Sequence, residues 1–279
     1  ANGVAPEELD NWVGEQGVFD MLFEFSHSLL GSGPEELWCR PAQWKLTALK
    51  KALFDSQQAT ERNGWYPIFF ENHDQRRSVD HFFPEPVQDK KAAAKVLAVI
   101  LLTLRVTPFI YQGEELGYEN MALPSIEAYD DISSKGQYAL ALKAGYSPAE
   151  ALRCIQYFSR DNARTPMQWN AGENAGFTAG APWLPVHPDY KKCNAADQLL
   201  EPGSVLNWYR QLSQLRQREL ILRAGSFAAL LPADESLLAY DRILGKKRIR
   251  VLANFTEQAV VIPDKLRQGA VFLLGSYGD

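Results

Sequence analysis

The stretch Pro67-Ile68-Phe69-Phe70-Glu71-Asn72-His73-Asp74 is the part of the sequence that decides the fold. Its first half is continuously apolar, which is typical of a strand buried on both faces, and its second half is polar. Pro108–Tyr111 repeats the apolar pattern, and Gln112–Glu115 repeats the polar one. Strands of this kind, each followed by a polar loop and a helix, predict a parallel α/β fold. Polar residues at the carboxyl ends of parallel strands face the active site, so the functional residues are expected there.

Helical and extended segments flank these two strands. Phe19–Phe25 is aromatic-rich and partly alternating, which indicates a further strand. Pro41–Asn63 has leucines at three- and four-residue spacings and predicts a helix that Gly64 ends as a C-cap. Asp89–Leu104 predicts a second helix, alanine-rich at its start and apolar in its second half. The order of these segments supports the parallel α/β assignment.

The pattern of predicted secondary structure changes twice after residue 116. Residues 117–203 are irregular apart from a helical patch at Pro148–Phe158, and Ser204–Arg218 is an amphipathic helix. From Gly225 onward, short strands separated by turn residues predict a small antiparallel β domain. These strands are Phe227–Leu231, Leu237–Tyr240, Arg248–Asn254, Ala259–Ile262 and Val271–Leu274. We therefore expect an α/β domain at 1–224 with an irregular insertion, and a β domain at 225–279, for which truncation of a final strand stays open.

Composition excludes several classes of protein. With 279 residues, 46% of them hydrophobic, and a net charge of −5, the chain has no electrostatic footprint for nucleic acid. The longest apolar run, Val96–Leu104, is too short to cross a membrane, and the opening residues have no targeting character. Cys39, Cys154 and Cys193 are far apart and lack metal-ligand spacing, so they are expected to be thiols in a reducing compartment. We expect a cytoplasmic protein without nucleic acid or membrane partners.

His73 and Asp74, at the end of the second strand, carry the most distinctive chemistry. An imidazole beside a carboxylate offers a donor and acceptors in fixed directions, which suits binding to vicinal sugar hydroxyls. The alternative is a strand-end aspartate that caps the next turn, with His73 as an incidental neighbour. From the Asn72-His73-Asp74 tripeptide alone, the capping interpretation is the favoured one.

Four stretches resemble one enzyme family in the family's own order. Phe70–Asp74 resembles the fourth signature region of the α-amylase superfamily, glycoside hydrolase family 13, and Tyr111–Gly117 resembles its eighth barrel strand. Ser159-Arg160-Asp161-Asn162-Ala163-Arg164-Thr165-Pro166-Met167-Gln168-Trp169 is similar to a motif of the branch with oligo-1,6-glucosidases, dextran glucosidases, α-glucosidases and sucrose isomerases. Ala1–Glu8 matches the same branch just past its third signature region. The resemblance covers essentially the whole chain.

The resemblance implies a role for each site residue. Asp74 would be the aspartate that stabilises the transition state of a retaining α-glucosidase, and His73 would contact the same sugar. Arg160 would help close the glucose pocket, with an aspartate outside the chain as its partner; a loop-holding surface ion pair is the alternative. Arg77 would line the aglycone side. Asn162 and Arg164 are expected to be loop scaffolding first and ligand contacts second.

The resemblance also implies what the chain lacks. The family's nucleophilic Asp and acid/base Glu precede the matched region, so the 279 residues alone are expected to be inactive. The fold would be about strands six to eight of a (β/α)8 TIM barrel, followed by a small antiparallel β-sandwich. Such a partial barrel would pair with the missing N-terminal half or self-associate. Glu71 and Arg76 depart from the family's usual residues, which puts the linkage preference in doubt.

Three functions therefore stay open. The first is hydrolysis of α-glucosidic bonds in short oligosaccharides with a terminal α-glucose, without a cofactor or metal. The second is a sucrose isomerase or transglucosylase on the same framework. The third, from another class, is a non-catalytic relative such as the ectodomain of a transporter heavy chain, which has no need of the His73–Asp74 pair. Trp169 and Trp183 could form a sugar platform, but core packing is the favoured interpretation.

Overall fold

Two parallel strands lie at the centre of the first part of the chain. In the computed structural model, which describes residues 8–14, 17–61, 64–83 and 89–277, β1 (Pro67–Ile68) pairs in parallel with β2 (Thr107–Pro108). A parallel bridge from Met21 to Trp65 places the preceding extended segment on the other side of β1. The parallel α/β order predicted from the sequence is confirmed. The segments predicted from the start of the chain, Ala1–Glu8, lie outside the described residues except for Glu8.

The helices that surround these strands account for most of the regular structure. Their bounds are α1 Leu9–Trp12, α2 Leu46–Ala59, α3 Ser78–Phe82, α4 Lys90–Thr103, α5 Ile132–Lys143, α6 Pro148–Phe158, α7 Ala195–Leu200, α8 Val205–Arg218, α9 Leu220–Ala224 and α10 Asp264–Arg267. Among the described residues, no helix combines the length and apolar character needed to cross a bilayer.

The helix predictions succeed where a cap fixes the end. Asp89 accepts a hydrogen bond from the Ala92 N–H at the start of α4, and Ser204 caps α8 in the same way. Ser147 and Glu150 form a capping box at the start of α6. The prediction for α2 is wrong at both ends. The helix begins at Leu46 and not at Pro41, and it ends at Ala59, with its C-cap at Thr60, before Gly64 is reached.

The main hydrophobic core lies between the strands and the helices α2, α4 and α8. Leu49 and Leu53 of α2, Leu97 and Ile100 of α4, and Tyr209 of α8 are buried in it. Each contributes roughly 1.5–3 kcal/mol by leaving water, which is enough to hold short strands that have little pairing of their own. The core therefore fixes where β1 and β2 end, and with them the polar residues that follow.

The C-terminal part contains one antiparallel sheet in the order β3 (Ser226–Leu230), β4 (Leu237–Leu244) and β5 (Lys247–Asn254). Two further predicted strands, Ala259–Ile262 and Val271–Leu274, are not strands in the structure. Their apolar side chains have no partner strand to pack on, and Val271 is 91% exposed. Within residues 226–277 the structure therefore describes a three-stranded sheet.

Arg242 of β4 joins the sheet to the helical part. Its buried guanidinium donates to the carbonyl oxygens of Thr103 at 2.7 Å, Leu222 at 2.8 Å and Gly225 at 2.7 Å. These oxygens lie at helix ends, where carbonyls lack intrahelical partners. Burial lowers the pKa of Arg242 to about 10, and the carbonyl oxygens solvate its positive charge.

Candidate active site

A tight turn after β1 presents the two residues singled out from the sequence. The Asp74 N–H donates to Asn72 Oδ1 at 2.8 Å, and the Gln75 N–H donates to the Asn72 carbonyl at 3.3 Å. Asparagine favours this geometry because its side chain can replace a backbone acceptor. The turn leaves the His73 side chain 72% exposed and that of Asp74 43% exposed. Both lie at the carboxyl end of the strand, as expected for a functional site.

The Asp74 carboxylate is the point where three side chains meet. Asp74 Oδ1 accepts from Arg160 Nη1 at 3.2 Å and from Arg164 Nη2 at 2.9 Å. Asp74 Oδ2 lies 3.3 Å from His73 Nε2. Arg164 also donates from Nε to the His73 carbonyl at 2.8 Å, which fixes the turn from the other side. The structure thus brings Asp74, His73 and Arg160 together, and adds Arg164.

Asp131 holds Arg160 from behind. Its side chain is 1% exposed, and its Oδ1 accepts from both Nε (2.9 Å) and Nη2 of Arg160. Asp131 is also the N-cap of α5, because its oxygens accept from the N–H groups of Ser133 and Ser134. Burial raises the pKa of Asp131, but hydrogen bonds from Arg160 and Ser134 outweigh it, so the pKa lies below its ordinary value. The hydrogen bonds from Asp131 also raise the pKa of Arg160.

The loop that carries both arginines is fixed by its own buried polar residues. Asp161 Oδ2 accepts from the N–H groups of Asp130 (2.8 Å) and Asp131 (3.0 Å), and Asn162 Oδ1 accepts from the Met121 N–H at 2.9 Å. Both residues are almost fully buried. The short helical turn Arg160–Ala163 is therefore tied to the irregular segment before α5, and the arginines have a fixed base.

Arg77 does not lie where its predicted role requires. Its side chain is fully buried, and its guanidinium donates to Glu71 Oε2 at 2.7 Å and to the carbonyls of Asn162 (3.0 Å) and Gln112 (2.9 Å). Because its N–H groups already donate to buried acceptors, this guanidinium is not available to bind a sugar. The prediction that Arg77 lines the aglycone side is therefore at odds with the structure. Arg77 instead links the loops after β1 and β2 to the loop Arg160–Arg164.

The two departures noted in the sequence are also buried. Glu71 pairs with Arg77, and its Oε1 accepts from the Ser78 N–H at 2.8 Å. Arg76 lies over the Phe158 ring at 4.2 Å from its centroid and donates to the Leu30 carbonyl at 2.8 Å. Burial lowers the pKa of Arg76 to about 10. Both side chains contact buried groups and not Asp74, so they stabilise the structure that carries the site.

Trp169 and Trp183 are more exposed than expected. Their exposed fractions are 52% and 62%, so the interpretation as core packing is wrong for this chain. Backbone bonds from the N–H groups of Trp169 (2.9 Å) and Asn170 (3.1 Å) to the Ala175 carbonyl hold the loop that carries Trp169. A rigid exposed indole could contact a sugar, but no ring contact joins the two tryptophans.

Sequence reasoning missed one contributor to the site, Asp131. Arg164 is expected to be loop scaffolding, and in the structure it bonds the His73 carbonyl and Asp74, which holds the turn. Asp131 lies in an irregular segment, and its signal was the ordinary one for a helix N-cap, an aspartate before an apolar residue. Only the fold shows that the same carboxylate also holds Arg160.

Comparison with known proteins gives consistent results. The family described as "Alpha amylase, catalytic domain" matches residues 3–225. The chain is 42% identical over 269 residues to an oligo-1,6-glucosidase of Parageobacillus thermoglucosidasius, covering 95% of this chain and 47% of that protein. It is 37% identical to an alpha-glucosidase of Pediococcus pentosaceus, covering 93% and 47%. The chain spans about half the length of the curated relatives it matches.

Solved structures show the same correspondence in three dimensions. Isomaltulose synthase from Klebsiella sp. LX3 superimposes with a TM-score of 0.89 at 34% identity, covering 97% of this chain and 51% of that one. Isomaltulose synthase from Erwinia rhapontici NX5 gives 0.86 at 38% identity, covering 92% and 46%. These matches confirm the predicted fold class, part of an α/β barrel followed by an antiparallel sheet.

Proposed function

This chain belongs to the alpha-amylase family, glycoside hydrolase family 13, and on that premise we propose that it is the C-terminal part of a retaining α-glucosidase. Its relatives at 36–42% identity include several oligo-1,6-glucosidases. The proposed reaction is hydrolysis of the α-glucosidic bond at the non-reducing glucose of short oligosaccharides. The proposal needs no organic cofactor, because carboxyl groups perform the proton and glycosyl transfers of this chemistry.

One observation carries this proposal: an exposed carboxylate, Asp74, receives two guanidinium groups and an imidazole at the end of a barrel strand. In glycoside hydrolysis the sugar ring flattens toward an oxocarbenium ion. A carboxylate that binds ring hydroxyls more tightly in that geometry than in the ground state lowers the barrier by differential binding. His73 would donate to the same sugar, and Arg160 and Arg164 would keep Asp74 in place.

The other two catalytic carboxyl groups are proposed to lie outside these 279 residues. A retaining mechanism needs a nucleophile and an acid/base whose carboxyl groups are about 5–5.5 Å apart across the scissile bond. Apart from Asp74, the acidic residues paired with these arginines in the described chain are Asp131 and Asp161, whose side chains are at most 2% exposed. They serve Arg160 and backbone N–H groups, so neither can attack a sugar.

The exposed edge of the parallel strands indicates where the rest of the barrel would pack. Phe19, Met21, Phe109 and Ile110 are each more than a third exposed, next to the paired strands. Apolar side chains beside an open strand edge favour association with further polypeptide. We propose that the remaining half of the enzyme covers this edge; self-association of the chain is the alternative, and size-exclusion chromatography distinguishes the two.

Sucrose isomerisation is the second candidate, because the superimposed solved structures include isomaltulose synthases. An isomerase retains the leaving sugar for renewed attack, whereas a hydrolase releases it to water. A non-catalytic role has less support, since a structural partner gains nothing from the convergence on Asp74. A cytoplasmic location remains part of the proposal.

A fusion protein tests the hydrolase proposal. The first half of the P. thermoglucosidasius oligo-1,6-glucosidase is joined ahead of this chain, and the products from isomaltose and from sucrose are identified. Glucose from isomaltose, lost in Asp74→Asn and retained in a matched Asp130→Asn control, supports hydrolysis. Isomaltulose or trehalulose as the main product from sucrose supports isomerisation instead.

A further inference from the structure

The segment from Trp169 to Trp183, here called the aromatic loop, presents aromatic rings to solvent. Phe177, 45% exposed, lies between the two exposed tryptophans in the sequence. The other residues of the aromatic loop are alanine, glycine, proline and polar residues, with no leucine, isoleucine, valine or methionine. Flat rings set among small and polar groups suit a ligand that is apolar on its faces and polar at its edges.

Hydrogen bonds within the aromatic loop fix its shape. Besides the bonds already described at Ala175, Asn174 Nδ2 donates to the carbonyls of Thr178 at 3.2 Å and Gly180 at 3.0 Å. Asn174 and Ala175 both have a positive φ, 47° and 57°, which costs free energy for a residue with a Cβ. Such conformations cluster at ligand-binding segments. A loop held in this way loses little further freedom when a ligand binds.

Both ends of the aromatic loop lie against the loop Arg160–Arg164, whose guanidinium groups bind Asp74. At one end, the aromatic loop follows directly after the buried residues 165–168, which continue the chain from the arginines. At the other end, Leu184 is buried and lines one small cavity together with Asp161. The aromatic loop therefore borders the same part of the molecule as the Asp74 carboxylate.

We propose that the aromatic loop binds the glucose units of an oligosaccharide that lie beyond the unit held at Asp74, with Trp169 and Trp183 each stacking on a sugar ring. The inference rests on the proposed function, because it extends the same substrate away from the same site. The C–H groups on a face of a glucose ring are apolar, and the large, rigid indole is matched to such a face. The polar groups of the loop remain available to the hydroxyls at the ring edge.

Stacking at these positions has a defined kinetic consequence. The contacted units are remote from the bond that is cleaved, so they are bound equally in the ground state and in the transition state. Uniform binding of this kind lowers KM without raising kcat. The aromatic loop would therefore set the preference for longer substrates over glucosides with a small leaving group.

Fluorine NMR of the 279-residue chain labelled with 5-fluorotryptophan tests the binding surface. The chain has seven tryptophans, and Trp169→Phe and Trp183→Phe assign the two resonances of interest. Both should shift and saturate as isomaltotriose is added to millimolar concentration. Trp12, an indole 40% exposed on α1, is the matched control and should not respond. No shift, a shift of only one of the two, or an equal shift of Trp12 would overturn the proposal.

Kinetics of the fusion with the first half of the P. thermoglucosidasius enzyme supply the second measurement. The substrates are isomaltotriose and α-glucosyl fluoride, whose leaving group carries no sugar. Trp169→Ala and Trp183→Ala should each raise KM for isomaltotriose about three- to tenfold with kcat retained. The ratio of kcat/KM for isomaltotriose to that for α-glucosyl fluoride should fall by the same factor.

Tyr277→Ala, which removes an exposed aromatic ring elsewhere in the chain, is the control and should leave this ratio unchanged. An equal loss of kcat/KM with both substrates in the tryptophan variants would overturn the proposal, because the indoles would then support the structure or contact the other half of the enzyme. A fusion that turns over neither substrate would count against the proposed function, and the NMR titration of the chain would still decide the binding surface.

Discussion

Asp74 illustrates how a single exposed carboxylate is held by residues far apart in the sequence. Its two guanidinium partners lie about ninety residues downstream, and Arg160 is in turn held by Asp131, which is buried. An exposed ion pair contributes roughly 0–1 kcal/mol, whereas a buried charge that loses its partner costs several times more. The Asp131–Arg160 pair should therefore matter more for stability than the Arg160–Asp74 pair.

Asp131→Asn tests this ranking. The amide keeps the shape but presents an N–H or a weaker acceptor to Arg160 and to the N-terminus of α5, so we expect a loss of about 2 kcal/mol in the free energy of unfolding. Urea titration of the chain measures it. Asp130→Asn, one residue earlier and exposed, is the matched control and should change stability by less than about 0.5 kcal/mol.

The same substitution has a predicted pH dependence. The pKa of Asp131 lies below its ordinary value near 3.8, so its contribution is fully present above that value and is lost as the pH falls through the folded-state pKa. The difference between wild type and Asp131→Asn should be constant from about pH 5 to pH 7 and shrink only below about pH 4. A difference that disappears at neutral pH would contradict this assignment.

The contribution of His187 to stability should have the opposite pH dependence from that of Asp131. Burial alone would lower its pKa, but the hydrogen bond and charge of Asp189 outweigh it, and Nε2 faces the Asn120 carbonyl at 3.3 Å. The pKa is therefore raised above 6.5, and the stabilisation is full below 6.5 and is lost as the pH rises through the folded-state value. His187→Gln should cost about 1–2 kcal/mol near pH 6 and clearly less near pH 9 in urea titrations. An equal cost at both values would rule out a charged His187.

At this scale the sequence predicted residues that carry a recognisable motif and missed those that act through the fold. His73, Asp74 and Arg160 lie together, but Arg160 pairs with Asp74 and Asp131 of this chain and not with the expected aspartate outside it. Asp131 has no signal beyond that of a helix cap. Arg77 was assigned to the substrate side because its place in the chain says nothing about burial. The direction of a side chain depends on packing between segments that are distant in sequence, so it could not be read from the motif.

Helices with a side-chain N-cap are predicted more accurately than the strands of the parallel sheet. The bounds of α6 and α8 agree with the sequence prediction because Ser147 and Ser204 satisfy N–H groups locally. Predicted strands such as Phe19–Phe25 are reduced to bridges at Phe19 and Met21, because strands depend on neighbours that a local pattern does not contain. Strand pairing within a barrel is a property of the assembled sheet, and helix capping is a property of a few adjacent residues.

Two glycines give a contrast at the level of elements. Gly136 lies within α5, and a Cβ there would meet nothing within 4 Å, so Gly136→Ala should stabilise the chain by about 0.5–1 kcal/mol. Gly113 follows β2 with φ of 88°, and a Cβ there would lie 2.2 Å from the Tyr118 ring. Gly113→Ala should therefore destabilise by more than about 2 kcal/mol. Thermal unfolding of both variants checks the pair, and stabilisation by Gly113→Ala would contradict the turn described here.

For the molecule as a whole, the order of its structural parts follows from the sequence. The parallel strands, the irregular segment and the antiparallel sheet occur in the predicted order. The exposed strand edge around Phe109 and the exposed segment at Val271–Leu274 show apolar surface that ordinary globular chains cover. The proposed covering of the strand edge by further polypeptide involves residues other than those described, which a local pattern does not specify.

The most direct test of the central claim is a rate assay of the purified 279-residue chain with 4-nitrophenyl α-glucoside and isomaltose. We expect no turnover by the chain alone, and turnover by its fusion to the first half of an oligo-1,6-glucosidase, abolished by Asp74→Asn. Turnover by the isolated chain that Asp74→Asn abolishes would contradict the proposed location of the nucleophile. Another carboxylate within these residues would then be the nucleophile, and the assignment of the catalytic groups would be wrong.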